Sequence, residues 1–345
     1  MNSKHRRNEK IIIITLVYIL LWIVNTMGAV KMGELSRLPK IKGKIVYHTY
    51  SNYFCRDSEL YMVDLESGIK TWLSEDFETV THTMNGTFSP DGKSIVFMGI
   101  TNRFYGEEWD VFLYSLDDKN LINLTENNGY RNEDPKFSPD GKCVVYKQGY
   151  WSEAQSKMIF DIWEINMSTK VARAVTQNIQ EESMPYYSTD GKYIYYMRGE
   201  GGNSEICKVH REGEKYGVEI IFKEDGVQSY YPITYKDRVY FAKWHQTNNK
   251  TDMLVILNKD ENKSIVNFNS EYYNVSDSYP ISDKLVIFSG TIPEDNKGGY
   301  DLYIGNIITG EIWSMDNYTN NTTNHAEKVN DNRHQLGVSY FIEEK

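Results

Sequence analysis

One phrase constrains this chain more than any other feature. FSPDGKSIVF begins at Phe88, and FSPDGKCVVY begins 49 residues later at Phe137. Looser copies follow as YYSTDGKYIYY from Tyr186, ITYKDRVYFA from Ile233 and YPISDKLVIF from Tyr279, and IKGKIVYHTY precedes them from Ile41. The basic residues that close these turns (Lys44, Lys93, Lys142, Lys192, Arg238, Lys284) are spaced 49, 49, 50, 46 and 46 apart. A second element keeps the same interval, an acid leading an apolar run: ELYMVD from Glu59, DVFLYSL from Asp110, DIWEIN from Asp161, EICKVH from Glu205, DMLVILN from Asp252 and DLYIGN from Asp301. A period of this length marks one supersecondary unit that buries its apolar faces only by stacking against its own copies.

The unit is all β. Asp-Gly reads as a two-residue hairpin turn in which glycine accepts a positive φ without strain. The runs KIVYH, SIVFM, CVVYK, YIYYM, RVYFA and LVIFS are apolar at nearly every position, as in strands covered on both faces. Four short strands per unit and six units predict a six-bladed β-propeller. Pro135, Pro185, Pro232 and Pro280 precede the turns, with Gly86 in the corresponding place. Proline cannot donate to a ladder, so these residues are expected at the start of the first strand, on the edge that lines the central channel. LPKIKGK at one end and HAEKVNDNRHQLGVSYFIEE at the other both look like first-to-second-strand regions. One blade is therefore expected to be built from both ends of the chain.

FSPDGK followed by an apolar strand resembles the repeat of TolB-like β-propellers, relatives of the Trp-Asp-repeat propellers, and the worn copies extend that resemblance over residues 40–343. The resemblance implies a six-bladed, mostly extracytoplasmic propeller that binds partners. Blades four to six depart from the full phrase, which weakens the carry-over of a specific function but not of the fold.

The amino terminus gives the expected domain plan: a basic tail over 1–10, an apolar segment over 11–30, a linker over 31–38 and the propeller over 39–345. Ile11–Val30 is 20 residues long, enough for a helix to cross a bilayer. The shorter core Ile11–Val24 would also serve a signal peptide, but Thr26 or Met27 would sit at the poor −3 site of a cleavage after Gly28 or Ala29. An uncleaved single-pass anchor is favoured over secretion after cleavage. Basic residues flank the segment on both sides, so the basic start and the habit of the resembled family are what place the propeller outside the cytoplasm. The net charge of −10 argues against nucleic acid as a partner.

No catalytic signature is present. The chain has no Gly-x-Ser-x-Gly, phosphate loop, dinucleotide fingerprint or zinc spacing, and its seven histidines are scattered. The six repeated acids occur once in every unit, which favours a structural role. The loops that share one face with the channel entrance are more telling. They carry Tyr53, Phe54, Phe104, Tyr105, Tyr150, Trp151, Trp244 and His245, with Glu133, Asp134, Tyr230, Tyr231 and Tyr279 expected near the channel mouth. Rigid aromatics surrounded by acids fit a contact surface for an envelope protein, peptide or glycan, with Ca²⁺ as an ion that the acids could attract and no other cofactor implied. A monomeric, non-catalytic binding scaffold is the leading expectation. Two alternatives stay open: a structural spacer, and an envelope-degrading enzyme such as a polysaccharide lyase. Lyases with similar repeats hold a metal through histidines and a glutamine on this face, where this chain offers only His245, with His325 or His82.

Overall fold

The computed structural model describes residues 38–52, 54–103, 106–200, 202–245, 251–258, 262–292, 299–319, 321–322 and 333–343. They form six antiparallel four-stranded blades arranged in a ring. Blade I comprises Val80–Phe88, Ser94–Arg103, Gly106–Ser115 and Leu121–Asn123; blade II comprises Arg131–Phe137, Cys143–Ser152, Lys157–Asn166 and Ala172–Ala174. Blade III comprises Glu182–Tyr187, Tyr193–Glu200, Asn203–His210 and Val218–Phe222; blade IV comprises Val227–Tyr235, Arg238–His245, Met253–Leu257 and Lys263–Ser264. Blade V comprises Asn274–Pro280, Leu285–Thr291, Asp301–Asn306 and Ile312–Ser314. Blade VI joins His334–Phe341, as its inner strand, to Lys44–Tyr50, Glu59–Asp64 and Ile69–Trp72, and Asn321–Thr322 adds a short parallel strand at its outer edge.

The non-alternating apolar runs follow from this stacking. Val144 points into the core shared with blade I, beside Val96 and Val111, while its neighbour Val145 points into the core shared with blade III, beside Ile194 and Tyr196. Ile45 and Val46 divide in the same way between blades V and I. Both faces of each second strand are buried, so polar alternation would cost burial energy on one side or the other.

Ring closure occurs as the terminal sequences predict. Lys44–Tyr50 pairs with Glu59–Asp64 on one side and with His334–Phe341 on the other. Arg333 ties the junction by donating to the Thr49 carbonyl at 2.9 Å and to the Asp57 carboxylate at 3.1 Å.

The repeated turn differs from a two-residue hairpin. The Gly92 amide donates to the Ser89 carbonyl, and among Pro90, Asp91 and Gly92 only Gly92 has a positive φ, at 68°. Proline thus occupies the second position of a type I turn and glycine the left-handed residue that follows. The Asp91 carboxylate accepts from Ser89 Oγ at 2.6 Å and from the Lys93 amide at 3.1 Å, and Ser89 Oγ accepts from the Ser94 amide. Ser138–Cys143 and Ser188–Tyr193 repeat these bonds. Blade IV instead turns in two residues, with Tyr235 opposite Arg238, and needs no glycine. The phrase is worn there because the turn is different.

The prolines also sit elsewhere than at strand starts. Pro135, Pro185 and Pro232 lie inside the inner strands, each directly after a bulge that releases the ladder, and Pro280 ends its strand. An edge strand at a bulge is another place where a missing amide hydrogen costs nothing. The basic tail and apolar segment lie outside the described residues, and among the described residues no helix is long and apolar enough to cross a membrane.

Candidate functional site: the channel and its loop-face funnel

Every inner strand bulges at one equivalent place. Asn85, Asp134, Met184, Tyr231, Asp277 and Gly337 occupy these positions, all at positive φ between 40° and 64°. Together they ring the channel. Asparagine, aspartate and glycine tolerate this region, whereas Met184 and Tyr231 are held there by the surrounding ring. Gly337 is required for space as well, because a Cβ would lie 2.6 Å from Asn85 Oδ1 and 2.7 Å from His48 Nδ1.

Two residues further along each strand, toward the turn face, Thr87, Lys136, Tyr186, Ile233, Tyr279 and Ser339 form a second ring. The Tyr186 and Tyr279 hydroxyls face each other at 3.4 Å. Tyr279 therefore belongs to the deep end of the channel, a correction to its expected place at the loop-face mouth. Tyr230 is also displaced from that mouth: its hydroxyl lies beside Asp252 and Ser276 between blades IV and V.

Charge in the channel is concentrated and buried. Burial raises the Asp134 carboxyl against the pull of Lys147 and Lys136, and Asn85 Nδ2 donates to it at 2.6 Å. Burial pushes Asp277 up to about 6, with the Gly337 amide and Ser276 hydroxyl as its donors. Lys136 faces both carboxylates, yet burial lowers its ammonium. Burial also drives His48 down to about 3, leaving a neutral ring whose Nδ1 accepts from the Asn85 amide.

Above the first ring the channel opens on the loop face as a funnel, lined by Phe54, Met84, Met98, Ile100, Trp109, Met184 and Tyr231 together with Arg56, His82, Arg131, Glu133 and Lys147. Burial opposes ionisation of Glu133, but Lys147 at 2.9 Å and Arg131 outweigh it and hold its carboxyl below the usual range. Lys147 also reaches Glu181 at 3.3 Å, and Arg131 lies over the Trp109 ring at 5.6 Å. Glu133, Lys147 and Arg131 thus pair with one another, while Met84, Met98, Ile100 and Trp109 are buried in the funnel wall and leave Phe54, Met184 and Tyr231 as its more accessible apolar side chains.

The expected site residues divide among several places. Phe54, Glu133, Asp134 and Tyr231 meet in the funnel, with Phe54 almost fully exposed at its rim. Tyr150 and Trp151 stand exposed on blade II, outside it. Trp244 and His245 lie on blade IV, where His245 Nε2 and Lys243 Nζ both contact Glu224. Tyr53, Phe104 and Tyr105 lie outside the described residues, as does His325. The repeated acids behave as fasteners: Asp110 accepts from Thr125 Oγ1 and Asn123 Nδ2, Asp161 from the Asn178 amide, Glu205 from Arg198 and Asp301 from Gln335. Among the described residues no group of three His, Cys, Asp or Glu side chains is placed to hold a metal ion. Met84, Met98, Met184, Arg131, Lys147 and Lys136 were not singled out by the sequence reading. The repeat carried a signal for one pair, since Met98 and Lys147 are 49 residues apart and so share one blade position.

Known proteins carry the same architecture. An uncharacterised protein of Agrobacterium fabrum is 22% identical over 140 residues, 41% of this chain and 43% of that protein, so the match spans under half of the relative's length. The structure of TolB from Acinetobacter baumannii superposes with a TM-score of 0.60 at 14% identity, covering 88% of this chain and 67% of that one. The hydrazine synthase of Kuenenia stuttgartiensis superposes with a TM-score of 0.64 at 13% identity, covering 87% of this chain and 47% of that one. At such identities the likeness concerns the fold, which an enzyme shares, so the fold by itself decides nothing about catalysis. The sequence pattern of the TolB β-propeller domain matches residues 39–221, more than half of the chain, and this protein belongs to that family.

Proposed function

We propose that the protein is a non-catalytic binding scaffold whose funnel receives an apolar peptide segment of an envelope partner, outside the cytoplasm, while the apolar amino-terminal segment anchors it in the membrane. The observation that carries this reading is the funnel wall. Exposed Phe54 and half-buried Met184 and Tyr231 converge there over a buried layer of Met84, Met98, Ile100 and Trp109, and Glu133, Lys147 and Arg131 satisfy one another. Unbranched thioethers repack around different side chains at little cost, and aromatic rings bring large contact area with few torsions to freeze. The enzyme alternative finds less support: His82 accepts from the Ser58 amide on blade I, while His245 is engaged with Glu224 on blade IV.

Site-specific photo-crosslinking tests the proposal in the intact cell. A photoreactive residue replacing Phe54 should capture a discrete partner, whereas one replacing Lys192 on the turn face should not. Phe54→Ala should weaken that partner's binding by on the order of 1–3 kcal/mol while leaving the melting temperature unchanged. Capture at Lys192 alone would sink the funnel as the contact face. Impermeant thiol labelling of a cysteine replacing Lys192 should succeed on intact cells stripped of any wall. Labelling only after lysis would place the propeller inside.

A further inference from the structure

Away from the funnel, blade II carries a second cavity. Its floor is one face of the second and third strands, where Tyr150 pairs with Ile159, Gln148 with Asp161 and Tyr146 with Trp163 across the ladder. Its walls are Tyr130, the segment 177–179 and Glu214 from a loop of blade III. The opening measures about 670 Å³, within the range of small-molecule sites.

Its chemistry is one-sided. Tyr130 and Tyr150 stand nearly perpendicular, 78° between planes with ring centres 6.5 Å apart, and both remain well exposed. Asp161 is only 4% exposed, and its Oδ1 accepts from the Asn178 backbone amide at 2.7 Å, its sole hydrogen-bond donor among the described residues. Among the described residues no lysine, arginine or histidine lines the cavity. Behind it, Glu182 is fully buried, and neither carboxylate oxygen has a partner at ordinary hydrogen-bond geometry, the Thr176 hydroxyl being its neighbour. Burial first, then repulsion from Glu214, pushes the Asp161 carboxyl up to about 6, and burial raises Glu182 to about 7 against a weak pull from Arg198.

Buried carboxylates without cations are costly unless something positive arrives. A metal ion needs donors that converge, and these carboxylates are not among any such group in the described residues. Aromatic faces set at right angles suit a diffuse cation, which they attract through the ring quadrupole. We propose that this cavity is a binding site for a small organic ammonium ion, seated between Tyr130 and Tyr150 with its charge toward Asp161 and Glu214. This site is separate from the funnel and does not depend on what the funnel binds.

Calorimetric titration of the full chain in detergent tests it. Choline should bind, and its neutral tert-butyl isostere should bind at least about tenfold more weakly. Tyr150→Ala should lose about tenfold or more in choline affinity, Tyr150→Phe should keep it, and Glu214→Gln should lose part of it, all three with unchanged melting temperature. Equal binding of the isostere would reduce the cavity to an apolar cleft and overturn the proposal. Saturation by chitotriose or by Ca²⁺ that Tyr150→Ala abolishes, with no binding of choline, would assign the cavity to a glycan or a metal instead. Absence of choline binding into the millimolar range would also overturn it.

Discussion

Blades I and II solve the same position in opposite ways. Where the inner strand meets the second strand above the channel ring, blade I pairs Met84 with Met98 and blade II pairs Glu133 with Lys147. All four side chains are largely buried. One pair is soft and apolar, the other an ion pair reinforced by Arg131 and Glu181. The scaffold accepts either because its stability comes from the stacked faces of the blades, and this position asks only that whatever is buried be satisfied. One blade further on the same position pairs Ser183 with Met197, and the residue before it, Glu182, breaks that rule: it is buried as deeply as Glu133 but has no lysine beside it. Satisfied positions can be varied for binding, while an unsatisfied one marks where the ring carries a cost.

The comparison holds only in a closed ring, and opening the ring should have the largest effect. Removing residues 333–345 takes the inner strand from blade VI and the Arg333 bonds from its junction. Cooperative thermal unfolding should be lost altogether. A truncated chain that melts like the intact one would show that blade VI closes by some other pairing.

Next in size is Lys147→Met alone. It leaves the Glu133 carboxylate buried beside only the half-exposed Arg131. Breaking a buried pair from one side costs about 3–5 kcal/mol, read from urea unfolding. A loss under about 1 kcal/mol would mean that Arg131 alone satisfies Glu133.

Glu182 should behave in the reverse sense. Its folded carboxyl titrates near 7, above the ordinary carboxylate range, so the folded state binds more protons than the unfolded state between about 4.5 and 7. Stability should therefore fall as pH rises through that window. Asp161 and Asp277, both raised by burial to about 6, act in the same direction. Glu133, held low, contributes below the window. Glu182→Gln should flatten the slope between pH 5 and pH 7.5 and stabilise the protein at neutral pH by about 2–3 kcal/mol. An unchanged slope would assign the pH dependence to Asp161 and Asp277.

Much of this was legible in the sequence, for a physical reason. A blade is a local unit repeated in register, so turn, apolar run and acid-led strand recur at one interval and reveal the fold even where single copies are worn. Closure was legible too, because the terminal segments are halves of that unit. The bulged ring was not. A positive φ at Met184 or Tyr231 has no residue signature, and the prolines that follow three of the six positions were open to reading as strand starts. Nor could loop aromatics be sorted by sequence into funnel and rim. Phe54 and Tyr231 converge through the curvature of the ring, while Trp151 and Trp244 sit on separate blades. The methionines were overlooked because a thioether in a strand reads as core, and Met84 and Met98 are core, buried with Ile100 and Trp109 at the funnel wall.

The smallest effect is expected from the change that looks most drastic. Replacing Glu133 and Lys147 together by methionine writes the blade I pair into blade II. It removes an ion pair, but it leaves no buried charge stranded at those two positions, and Arg131 remains half-exposed over Trp109, where water can serve it. Methionine is close to both residues in length, and apolar replacement of a whole buried pair is often neutral or better. The Asp134 carboxyl loses the nearby Lys147 charge that now opposes its burial, so part of any cost should appear there as a carboxyl raised further. The double variant should unfold within about 1 kcal/mol of the parent, far from the loss expected for Lys147→Met alone. The same chain should carry a funnel with less charge, and so bind the apolar peptide proposed above at least as tightly in high salt as in low. A double variant as unstable as the single one would show that blade II depends on the ion pair for its shape, and the equivalence of the two blades would fail.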